Sequence, residues 1–135
     1  MRKVVFFIAL ISLAAPVGAA EDNLKNIMQG LGQNFVQIVE ALLVGDRELL
    51  VQAAAKIAEH PEIPNYQRAL IAEELGEEIA QFAQFDQVVH SLSLGLQEKG
   101  LVLTEQELLR NTQEMLTACS SCHAAYKDRL SHILE

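Results

Sequence analysis

Cys119-Ser120-Ser121-Cys122-His123 decides how the rest of this 135-residue chain is read. A C-x-x-C-H run reads as a c-type haem attachment site, because two thiols can add to the haem vinyl groups while the adjacent imidazole reaches the iron. On a helix, Cys119 and His123 sit one turn apart on one face and Cys122 lies beside them, so one helix can present all three groups to one porphyrin. Other chemistries fit the run less well. A C-x-x-C redox pair belongs beside a βαβ unit, and the chain has no strand pattern. A structural zinc site wants four ligands, but these are the only two cysteines, and His60, His90 and His132 show no paired ligand spacing. A disulfide is poorly served by cysteines on adjacent turns of a helix.

Covalent attachment through thiols requires delivery to a compartment with its own redox control, and the N-terminus meets that requirement. Residues Met1 to Ala20 have a basic start (Arg2, Lys3), an apolar run from Val4 to Ala15, and small residues at Gly18, Ala19 and Ala20. This is the layout of a cleavable export signal, with cleavage expected after Ala19 or Ala20 and a periplasmic location. The apolar run is short for a membrane span of about 20 residues, and the helix breakers Pro16 and Gly18 stand directly after it. No other segment has the length and continuous apolarity of a span, so stable membrane insertion is not expected after the signal is removed.

The remaining stretch, residues 21–135, has the size of one domain with one core. Without Arg2 and Lys3, eight Lys or Arg stand against 18 Asp or Glu, and the formal charge moves from −8 to −10. Such a surface disfavours nucleic acid and anionic lipid, and its natural complement is a redox partner with a basic patch.

Helical periodicity runs through the whole of this domain. From Asp22 to Val44, the residues Leu24, Ile27, Met28, Leu31, Phe35 and Ile38 keep the 3/4 spacing of one buried stripe, with Gly45 as the stop. Asp46 caps a second helix to about Glu59, and His60-Pro61-Glu62-Ile63-Pro64 ends it. A third region opens at Asn65 as its cap and runs towards Leu96. Uninterrupted, it would span about 48 Å against about 35 Å for the first helix, which predicts a break near Gly76. Gly95 to Gly100 is read as the next connection. Thr104 and Glu107 form a capping box that opens the last helix, whose apolar positions Leu108, Met115, Tyr126 and Leu130 share a face with Cys119 and His123. Four helices with short links predict an all-α antiparallel four-helix bundle, with the covalent haem near the C-terminal helix.

An export signal, four amphipathic helices and C-x-x-C-H near the C-terminus together resemble the cytochrome c prime family, the class II c-type cytochromes. The resemblance extends over the whole exported chain. Its specific residues are the motif continued to Tyr126 and Lys127, where the family has an aromatic and then a basic residue, and Ile27-Met28-Gln29 on the first helix. It implies that Cys119 and Cys122 bind one haem c, that His123 is the proximal ligand of its iron, and that Lys127 lies beside the proximal face. The distal position falls on Met28, which ligates the iron in some members and does not in others. Members often carry an arginine one turn before this methionine, near a haem propionate; Leu24 and Lys25 stand here instead.

With Met28 and His123 both bound, the chain is expected to be an electron-transport protein that passes single electrons. Without Met28, the alternative is a five-coordinate protein that binds nitric oxide or another small gas. No acid, base and nucleophile set has readable spacing, so an enzyme is not expected. His60 reads as a loop residue, His90 as a rival sixth ligand or a core-edge residue, and His132 as exposed. Family members often form homodimers through their first two helices; Phe35, Leu42, Leu49 and Ala53 would serve such a face or else be interior.

Overall fold

The computed structural model describes residues 23–134, and the export signal read over Met1–Ala20, with its cleavage point, lies outside them. Five helices follow one another: α1 (Leu24–Val44), α2 (Arg47–Ala58), α3 (Asn65–Leu75), α4 (Ile79–Lys99) and α5 (Glu105–Leu130). No strand occurs among the described residues. Local chemistry sets most of the ends. Asn23 and Asp46 accept the backbone N–H of Asn26 and Leu49, each at 2.9 Å, and so satisfy amides that a helix start leaves without partners. Gly45 closes α1 in the left-handed conformation. At Thr104 the capping box forms in both directions, since Glu107 N–H reaches Thr104 Oγ1 at 3.3 Å and Thr104 N–H reaches the Glu107 carboxylate at 2.8 Å. The Thr104 N–H first, and then the Thr104 hydroxyl, which donates to the same carboxylate oxygen at 2.7 Å, hold the Glu107 carboxyl below its ordinary pKa.

The expected break is present. Gly76 has φ +53° and ψ −122°, a region open to glycine and costly for other residues, and a 3-10 turn over Gly76–Glu78 separates α3 from α4. Two boundaries differ from the expectation. Asn65 is not the cap of α3: Pro64 holds that position with no side-chain cap, and Asn65 Oδ1 accepts from the Arg68 guanidinium instead. Nor does a connection start at Gly95, because α4 runs through it to Lys99. The fully buried Ser93 and Leu96 on either side keep that turn helical, and packing outweighs the roughly 1 kcal/mol helix penalty of one glycine.

α1, α2, α4 and α5 pack as an all-helical four-helix bundle, while α3 lies against one end. Contacts at opposite ends show the helices alternating in direction. Arg47 at the start of α2 donates to the carbonyls of Gly100 (3.0 Å) and Leu103 (2.6 Å) just past α4, whereas His60 past the end of α2 faces Asp86 in the first half of α4. Arg129 near the end of α5 holds Glu78 at the start of α4. Apolar side chains collect in two clusters. One, near the α1–α2 and α4–α5 turns, contains Ile38, Leu50, Ile57, Leu96, Leu108 and Met115. The other, at the end where α1 starts and α5 finishes, contains Leu24, Ile71, Leu75, Tyr126 and Leu130. Phe35, Leu42 and Leu49, each half-buried, pack onto the first cluster, and Ala53 is part of it. Among the described residues no helix is long and apolar enough to cross a membrane.

Gln67 ties α3 to the start of α1 and to the turn that follows α5. Its buried side chain accepts the Leu24 N–H at 2.7 Å and donates to the Ile133 carbonyl at 3.1 Å. Replacing Gln67 with Leu keeps the bulk but leaves the Leu24 amide and the Ile133 carbonyl without that partner, and an orphaned buried polar group costs about 1–3 kcal/mol. Urea unfolding of Gln67→Leu should therefore show a lower midpoint at unchanged slope. An unmoved midpoint would assign both groups to water.

Candidate functional site

Between the two clusters the bundle does not close. The α1–α5 seam is the loosest of the four helix pairings, and behind it lies a cavity of about 610 Å³. Pockets for cofactor-sized ligands run from about 300 to 1,000 Å³. Its walls are mostly apolar: Met28, Leu31 and Phe35 come from α1, Phe82, Phe85 and Val89 from α4, and Ile71 from α3. Cys119, Cys122 and His123 come from α5. The four site residues named from the sequence therefore line one space, with Met28 on the α1 wall and the motif on the α5 wall.

Both thiols are free and half-buried, and His123 is exposed at the rim. Below them, Tyr126 fixes α5 to α4. Its ring is buried edge-on against Phe82 (5.6 Å between centroids) and Phe85 (6.3 Å), and its hydroxyl donates to Gln81 Oε1 at 3.2 Å. The aromatic residue one turn past Cys122 thus sets the rotation of α5 that turns the motif inward. Lys127 is exposed and is not part of the cavity wall.

Burial pushes the Cys119 thiol above its ordinary pKa. The Cys122 thiol is raised to about 11, by burial first and then by Cys119 and Asp86 nearby. Both remain S–H at neutral pH in this environment. A dithiol redox pair has the opposite character, since its attacking sulfur is held as thiolate. Among the described residues no three His, Cys, Asp or Glu side chains converge to hold a metal ion. That excludes a cage built from such side chains among those residues and does not bear on an iron held in a porphyrin, where the protein supplies only axial ligands.

The cavity has one polar edge, made largely by the link between α2 and α3. His60 lines it, with Nδ1 2.8 Å from the Pro61 carbonyl and Nε2 3.5 Å from Asp86 Oδ1. Glu62, Arg68 and Asp86 complete that edge. From the sequence alone His60 reads as a loop residue, and neither Arg68 nor Asp86 stands out. His90 lies off the cavity wall, and His132 sits 3.8 Å from Glu74 near the chain end. Mostly apolar walls with one polar edge fit a largely apolar macrocycle that carries polar substituents on one side. The donor set also suits it, with two inward thiols, one imidazole at the rim and one thioether on another wall. No protein-family model matches the chain, and no curated protein or solved structure matches it either.

Proposed function

We propose that this chain is an exported c-type cytochrome of the cytochrome c prime kind, passing single electrons through one haem c held by Cys119 and Cys122, with His123 and Met28 as axial ligands. The observation that carries the reading is convergence: residues chosen from motif and family position line a single cavity of about 610 Å³ in the middle of the bundle. When bound, the group supplies a one-electron iron couple, which a thioether ligand raises in potential.

The chain's own residues do the rest. Cys119 and Cys122 tether the macrocycle to one face of α5, and Tyr126 holds that face inward. His123 approaches from the same helix, which leaves its partner ligand to come from another wall. Phe35, Phe82, Phe85 and Val89 exclude water from around the centre. Met28 is half-buried on a flexible side chain, so its sulfur can reach inward without a large backbone movement. The apolar α1 wall of Met28, Leu31 and Phe35 also favours a second reading, in which Met28 does not ligate and the space admits nitric oxide or another small gas.

Absorption spectra of the haem-loaded protein, oxidised and reduced, separate the two readings: low-spin in both states for the electron carrier, high-spin for the gas binder. Docking is expected to follow charge. Electron exchange with a basic partner should slow as salt rises, because surface charges farther apart than about 8 Å are largely screened at physiological ionic strength. A rate independent of salt would remove the electrostatic part of the proposal.

A further inference from the structure

An arginine or lysine is a strong partner for the carboxylates of a haem, and the first helix does not supply one to the cavity. Leu24 is buried in the terminal cluster, and Lys25, one residue on, is exposed and off the cavity wall. Among the described residues, the cavity wall contains one Lys or Arg side chain, Arg68 on α3. The two imidazoles on the wall are engaged elsewhere, His60 between the Pro61 carbonyl and Asp86, and His123 with the proposed iron.

We infer that Arg68, on the polar edge built by the α2–α3 link, receives a carboxylate of the haem and so orients the macrocycle within the cavity. This rests on the haem reading above and adds to it a residue from a part of the chain that carries no motif. Arg68 can make the exchange cheaply. Its guanidinium donates to Asn65 Oδ1 and pairs with Glu62 at 3.4 Å, both on the exposed side, with the Arg68 and Glu62 side chains 52% and 86% exposed. Exposed pairs of this kind contribute little, whereas a guanidinium can grip a carboxylate through two parallel hydrogen bonds. Glu62 competes for the same guanidinium, so its removal should act in the opposite sense to loss of Arg68.

The test uses the haem-loaded protein with Arg68→Gln, Arg68→Lys and Glu62→Gln. Resonance Raman should show the propionate bending vibration shifted in Arg68→Gln, partly restored in Arg68→Lys, and moved the opposite way or strengthened in Glu62→Gln. The midpoint potential should fall in Arg68→Gln, because a cation beside the haem disfavours the oxidised, more positive state. It should hold closer to the parent value in Arg68→Lys, which keeps the charge. A propionate vibration that does not change in Arg68→Gln overturns the inference while leaving the cytochrome reading intact. Failure of the parent protein to acquire covalent haem removes that reading first, and the role of Arg68 with it.

Discussion

In the double variant Cys119→Ala/Cys122→Ala, covalently bound haem is expected to disappear, and the denatured protein should lose haem-dependent peroxidase staining on a gel. The expectation comes from chemistry: a thioether needs a sulfur, and these are the only two in cysteine form anywhere in the chain. The substitutions themselves are small. Each removes one sulfur from a half-buried position facing a cavity, so nothing in the packing forces α5 to unfold. A helical circular dichroism spectrum with no stain therefore isolates attachment from folding. Stability should still fall relative to the loaded parent, because a group bound only to the native state stabilises it, and the proposed haem would fill a cavity of about 610 Å³ between the two apolar clusters. Each single variant keeps one tether and should retain part of the stain. Stain retained in the double variant would remove the central claim.

The elements of this fold were legible where a local interaction decides them. Gly45 followed by Asp46, the break at Gly76, and the Thr104/Glu107 box each act within one turn, and each appears where the spacing put it. The misread boundaries lie where distant packing wins. Gly95 looked like a stop, but burial of Ser93 and Leu96 against the rest of the bundle holds α4 through it. Asn65 had the chemistry of a cap and spends it on Arg68. The site divides in the same way. Cys119, Cys122 and His123 announce themselves by spacing, and Met28 entered only through the resemblance to a known family. His60, Arg68 and Asp86 come together only because a proline-bounded link and a short helix fold over the end of the cavity, and no periodicity encodes that. Gln67 is the clearest case: a single glutamine in a polar helix gives no sign that it caps α1 and holds the last turn of the chain at once.

Met28→Leu should turn a low-spin protein high-spin, and this variant decides between the two functions proposed for the cavity. Met28 belongs to the α1 stripe that faces the cavity, two turns before Phe35, while the motif comes from α5 across the open seam. With His123 on α5 as the proposed first ligand, a second protein ligand would come from a wall other than α5. Of the soft or basic donors on those walls, Met28 and His60 remain, and His60 is already held between the Pro61 carbonyl and Asp86. Leucine keeps nearly the same volume and costs less than about 1.5 kcal/mol at such a site, so a spectral change reports the lost sulfur and not a collapsed wall. The parent should bind carbon monoxide slowly in the reduced state and show the long-wavelength charge-transfer band of a thioether-ligated ferric haem; the variant should lose that band and bind carbon monoxide readily. Its midpoint potential should also fall, since a thioether ligand favours the reduced iron. A parent protein that is already high-spin, and that Met28→Leu leaves unchanged, would assign Met28 to packing and the cavity to a small gas.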